Sequence, residues 1–104
     1  MTRYRERALA RVRTIVLEAL AGWDAGVYLF GSSATGATRR ASDIDVAVES
    51  RRPLPSRVLA DLRETLEEST IPYRVEVVDL SDTDSDFRGR VRREGVRWTA
   101  STSG

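Results

Sequence analysis

The run Asp43-Ile44-Asp45-Val46-Ala47-Val48 constrains the fold of this chain more than any other segment. Its period of two places Ile44, Val46 and Val48 on one face of a strand and Asp43 and Asp45 on the other. A sheet containing this strand must therefore be packed on one side and carry two carboxylates on the other. The packed side needs neighbouring strands and a covering layer of helices.

The rest of the chain supplies both. Ala8, Leu9, Val12, Ile15, Val16, Ala19 and Leu20 recur at steps of three and four, which predicts an amphipathic helix from Tyr4 to Leu20. Ala21 to Gly26 breaks it, and Val27-Tyr28-Leu29-Phe30 reads as a short buried strand ending at Gly31. Ser32 to Ser42 is small and polar, with room for one helical turn over Ser32 to Ala37. After the turn Arg51 to Pro55, Val58, Leu59, Leu62 and Leu66 mark a helix running to about Glu68. Arg74 to Leu80 is a third strand, with Val75, Val77 and Asp79 on one face and Glu76 and Val78 on the other. Ser81 to Asp86 offers capping residues for a last helix that contains Gly89 and stops at Gly95. Val96 to Trp98 adds an edge strand, and Trp23 and Trp98 read as core or interface anchors. The expected fold is α/β (α+β), a small mixed β-sheet flanked by helices. It forms one domain over residues 1–98, with a disordered tail at 99–104.

Composition narrows the chemistry. The 104 residues leave room for one core, and 17 basic against 16 acidic side chains give a net +1, so no bulk charge draws the chain to nucleic acid or an anionic membrane. All 17 basic residues are Arg, and the chain has no Lys, His or Cys. That excludes thiolate and imidazole catalysis, disulfides, Schiff-base lysines and His- or Cys-ligated metals. Asp, Glu, Ser, Thr, Tyr and Arg remain, a set suited to hard oxygen-liganded cations and anionic substrates. No apolar run approaches the roughly 20 residues of a membrane span, and no signal-peptide core follows Met1, so a cytoplasmic protein without membrane contact is expected.

The chemistry concentrates in Leu29-Phe30-Gly31-Ser32, ten further residues, then Asp43-Ile44-Asp45. A Gly-Ser step after a buried strand lets backbone amides approach a phosphate with no Cβ in the way, and the hydroxyl adds a donor. Carboxylates at i and i+2 of a strand lie about 7 Å apart at Cα, so their oxygens can converge on Mg²⁺. Together these describe a nucleoside triphosphate site. A two-metal site, with ions about 3.5–4 Å apart, wants a third carboxylate. Glu76 is the first candidate, and Asp79, on the opposite face of the same strand, is the second. A P-loop over Gly31 to Thr38 fails because Ala37 stands where Lys is required. A calcium loop over Asp82, Asp84 and Asp86 fails because Phe87 replaces the turn glycine and Arg93 the terminal glutamate. Arg88, Arg90, Arg92, Arg93 and Arg97 form a basic cluster that reads as a solvated helix face or a docking surface.

These motifs resemble the minimal nucleotidyltransferases of the DNA polymerase β superfamily, in the Gly-Ser to Asp-x-Asp spacing and in Ile71 to Leu80 followed by Asp86-Phe87-Arg88. The resemblance covers Val12 to Trp98. It implies that Gly31 and Ser32 hold the triphosphate, that Asp43 and Asp45 bind two Mg²⁺ ions, and that Glu76 binds the catalytic one and helps accept the acceptor's proton. Where relatives carry Arg after Gly-Ser or before Gly36, this chain has Ser33 and Thr35, which leaves Arg39 and Arg40 to supply the charge. The larger members add a helical acceptor-binding domain for which no segment is evident here. The resemblance therefore implies a partner, a helical HEPN toxin, and transfer of AMP from ATP to a tyrosine hydroxyl of that toxin. Self-association is expected on the same ground. Two alternatives stand beside it: a non-catalytic antitoxin that masks its partner, and transfer to a small molecule or an RNA end.

Overall fold

The computed structural model describes residues 2–31 and 43–98. The elements run α1 (Thr2–Ala19), β1 (Ala25–Phe30), β2 (Asp43–Ser50), α2 (Ser56–Glu68), β3 (Arg74–Asp79), a 3₁₀ turn (Leu80–Asp82), α3 (Ser85–Glu94) and β4 (Val96–Trp98). The four strands form one mixed sheet in the order β3-β2-β1-β4. β1 pairs antiparallel with β2 and β4, while β2 and β3 run parallel with α2 as the crossover that parallel pairing requires.

The alternation of β2 is realised as a division between two faces. Ile44, Val46 and Val48 are fully buried, together with Val27 and Leu29 of β1 and Val77 of β3, under Val12, Val16 and Leu20 at the α1 end and Val58, Leu59, Leu62 and Leu66 of α2. Each of these side chains contributes about 1.5–3 kcal/mol on leaving water. The opposite face carries a smaller cluster of Tyr28, Ala47, Leu80 and Val91, flanked by half-buried Phe30 and Phe87, where α3 crosses β1. Asp84 caps α3 by accepting from the Phe87 amide at 2.8 Å. At the sheet's outer edge the Arg63 guanidinium donates to the Val77 carbonyl at 2.9 Å, so a side chain from α2 satisfies a backbone acceptor of β3.

Several expectations change in detail. β1 begins at Ala25 rather than Val27, because Ala25 and Gly26 pair with Ser50 and Glu49 of a longer β2. Leu80 leaves the strand for the 3₁₀ turn and is fully buried there, in the smaller cluster. Trp98 is a core residue, but Trp23 is 39% exposed and anchors nothing in the core. Gly95 does end α3, yet with φ −78° rather than in a left-handed cap. Close approach is what requires glycine there, since a Cβ would lie 2.6 Å from the Val91 carbonyl oxygen and 3.1 Å from that of Leu29. The basic cluster is not one solvated face. Arg88 turns inward to donate to the carbonyls of Leu80 and Thr83, and Arg92 pairs with Glu49. The helical turn expected over Ser32 to Ala37 and the tail at 99–104 lie outside the described residues. No helix among the described residues is long and apolar enough to cross a membrane.

Candidate active site

The site is built on register. Phe30 of β1 stands opposite Asp45 of β2, and Asp45 stands opposite Glu76 of β3, so the last residue of β1 and the two acids form one row across three strands. Paired residues of neighbouring strands project to the same face, and strands lie about 4.8 Å apart, so the Asp45 and Glu76 carboxylates emerge side by side. They emerge on the face opposite α1 and α2, beyond the part that α3 covers. Asp45 is half-buried and Glu76 exposed. Asp43 takes the register position two residues before Asp45, opposite Arg74. Its side chain lies outside the described residues, as do Ser32, Ser33, Arg39 and Arg40 in full.

Gly31 follows the row at φ +80°, a left-handed conformation that side-chain-bearing residues rarely adopt. Space makes the same demand, because a Cβ on Gly31 would lie 2.6 Å from Asp45 Oδ2 and 3.4 Å from Asp45 Cγ. The Asp45 carboxylate therefore rests against the bare backbone of Gly31, and the predicted phosphate turn and the predicted metal ligand are in contact.

Asp79 does not join this site. It stands opposite Val48, and its carboxylate accepts from the Ser81 amide at 2.9 Å and the Ser81 hydroxyl at 2.8 Å, which starts the 3₁₀ turn. Glu76 makes no such contact with another described residue and shares an open hollow of about 520 Å³ at the β3 edge with Arg63, Glu67, Tyr73 and Arg74. Tyr73 is held there by the Arg5 guanidinium, 4.8 Å from its ring centroid. A second cavity, of about 330 Å³, opens on the other flank, between the end of β1 and α3. No sequence spacing marked the second hollow, since the end of β1 and α3 that wall it are distant along the chain, whereas the first is built within the single stretch from Arg63 to Val77.

Among the described residues no group of three acids stands close enough to hold a metal ion, and the pair Asp45 and Glu76 is what they contribute. The donor set is entirely carboxylate oxygen, which fits a hard divalent cation such as Mg²⁺ and disfavours softer metals.

A family model for polymerase beta nucleotidyltransferases matches residues 25–99. The chain is similar to the Haemophilus influenzae protein named probable protein adenylyltransferase MntA, 36% identical over 85 residues that span 82% of this chain and 73% of that protein. Among solved structures it resembles a chain of a toxin–antitoxin complex with AMP-PNP, with a TM-score of 0.66 and 26% identity over 86% of this chain and 74% of that one. It also resembles a chain of the complex between tri-AMPylated Shewanella oneidensis HEPN toxin and MNT antitoxin, with a TM-score of 0.65 over 92% of this chain and 72% of that one. At 21% identity that last likeness is one of fold.

Proposed function

Because the chain belongs to the polymerase β nucleotidyltransferase family, we propose that it transfers AMP from ATP to a tyrosine hydroxyl of a helical HEPN toxin and acts in the cytoplasm as that toxin's antitoxin. The observation that carries this reading is the row of Asp45 and Glu76 on neighbouring strands with Gly31 against the Asp45 carboxylate, on a part of the sheet outside the cluster that α3 covers among the described residues. The adenylyltransferase name of the Haemophilus relative supports AMP as the transferred group, and the toxin–antitoxin complexes support the partner.

In this mechanism Asp43, Asp45 and Glu76 would hold two Mg²⁺ ions, which would supply neutralisation of the phosphate oxygens and of the charge that develops on them. Gly31 keeps side-chain bulk away from the Asp45 carboxylate and leaves the phosphates a backbone to approach. The amides and hydroxyls of Ser32 and Ser33 donate to phosphate oxygens, and Arg39 and Arg40 supply countercharge. The tyrosine oxygen attacks the α-phosphorus, the bond from that phosphorus to the bridging oxygen of the β-phosphate breaks, and pyrophosphate leaves. Glu76 accepts the hydroxyl proton from the open side of the row.

The test is transfer of label from α-labelled ATP with Mg²⁺ to a HEPN toxin partner, read by mass spectrometry of the toxin. An AMP adduct on tyrosine that disappears with Asp43→Asn, with Glu76→Gln or with a chelator is the expected result. If Asp43→Asn combined with Asp45→Asn still neutralises the toxin and leaves no adduct, the domain masks its partner rather than modifying it.

A further inference from the structure

The cavity of about 330 Å³ on the α3 flank is lined by Phe30, Gly31, Phe87, Arg90, Val91 and Glu94. Gly31 connects it to the row of acids, being at once a wall of this cavity and the backbone against which the Asp45 carboxylate rests. A molecule whose phosphates lie at Gly31 therefore has this cavity within reach of its remaining atoms. The volume falls in the range of small-molecule sites, about 300–1,000 Å³.

The walls divide by chemistry. Phe30 and Phe87 are half-buried, with ring centroids 5.7 Å apart and planes at 88°, and Val91 is buried behind them. Such an aromatic corner suits a flat ring. The rim is Arg90 and Glu94, one helical turn apart on α3 and both exposed. Neither forms an ion pair or a side-chain hydrogen bond with another described residue. Glu94 also closes the C-terminal turn of α3, where the helix dipole disfavours a carboxylate, and its neighbour Arg92 is committed to Glu49. Among the described residues the helix thus presents one unpartnered acceptor and one unpartnered donor at the mouth of an apolar slot.

We infer that this cavity binds the adenine ring of ATP and selects it over guanine, Glu94 accepting from the exocyclic amino group and Arg90 donating to a ring nitrogen. The inference rests on the nucleotidyltransferase reading above and adds the source of its base preference. Adenine carries its amino donor where guanine carries a keto oxygen, and a carboxylate facing that oxygen sets acceptor against acceptor.

Titration calorimetry of the intact protein with AMP-PNP and with GMP-PNP, both in Mg²⁺, tests it. AMP-PNP is expected to bind about tenfold more tightly, the scale of one hydrogen bond to a charged group at an exposed rim. Glu94→Gln, whose amide can donate to a keto oxygen, is expected to close that gap by strengthening GMP-PNP binding. Arg90→Ala is expected to weaken AMP-PNP several-fold, while Arg93→Gln, in the neighbouring hollow, changes neither. If AMP-PNP binds and its preference survives both Glu94→Gln and Arg90→Ala, the adenine assignment is wrong and the transferase reading stands. If neither analogue binds, the reading of the row as a triphosphate site falls, and the adenine assignment falls with it.

Discussion

The two faces of this sheet are made from alternate residues of the same strands and end in opposite roles. On the α1 and α2 side, Val27, Leu29, Ile44, Val46, Val48 and Val77 are all buried in one cluster that spans three strands. On the other side the ten-residue α3 packs on Tyr28 of β1 and Ala47 of β2, and Asp45 and Glu76 stand outside that packed cluster. Completing that second layer would take two carboxylates out of water, at a cost of several kcal/mol for each charge. The short α3 avoids that cost, and among the described residues Asp45 and Glu76 stand beyond the part of the sheet it packs on. The lesson is that stability and chemistry are separated by one residue step along a strand, so neighbouring substitutions should fail in different ways.

Asp45→Asn is the sharpest way to break the comparison. Transfer to the toxin should fall by about 10³-fold, the scale of several kcal/mol of lost metal-assisted stabilisation, while the unfolding free energy moves by less than about 1 kcal/mol. Parallel loss of folded protein in urea titration would mean that the acid face is structural after all. Its neighbour Ile44→Ala should do the reverse. At a fully buried position the cost is about 3 kcal/mol of unfolding free energy, read by urea titration, and transfer per folded molecule should stay within a few-fold. Gly31→Ala touches both roles, because the left-handed backbone and the Asp45 contact are disturbed together. A loss of about 1–2 kcal/mol is expected from the backbone alone, with transfer falling further than that loss explains. Transfer at the parental level would show that Asp45 does not depend on the bare glycine.

The smallest effect concerns the second face's own support. Arg92 of α3 donates to Glu49 of β2 and holds that carboxyl below the usual glutamate range, with Tyr28 and Arg97 adding to the shift. A carboxyl lowered in the folded state stabilises fully above its unfolded pKa and loses that contribution as pH falls through the lowered folded value. Thermal unfolding of Arg92→Ala should therefore show a modest deficit at neutral pH that closes on acidification below the usual glutamate range. The exposure of the Arg92 side chain keeps it modest. A deficit that persists unchanged at low pH would point to lost packing of the arginine stem instead.

Much of the site is legible in the order of residues alone. Strand alternation ranks Glu76 above Asp79, and the folded chain pairs Glu76 with Asp45 while using Asp79 to cap a turn. The amphipathic stripes of α1 and α2 are legible because burial on one helical face leaves a local period. Less is legible at α3. Arg88 and Arg92 look like their neighbours in sequence, yet each is claimed by acceptors whose position depends on the folded chain, the Leu80 and Thr83 carbonyls and Glu49. Gly95 is readable as a stop but not for its reason, which is the close approach of the Leu29 carbonyl from β1, far earlier in the chain.

The sequence by itself determined which residues share a face, because Cβ direction alternates along a strand and repeats around a helix through local covalent geometry. It also determined the available chemistry, since the side chains of a chain without His, Cys or Lys offer a hard divalent metal oxygen ligands. The tertiary structure decided which faces meet. Backbone pairing across the sheet set Asp45 beside Glu76 and against Gly31, and the length of α3 set where the covering stops. Those outcomes depend on hydrogen bonds and packing summed over the whole sheet, which no local period encodes.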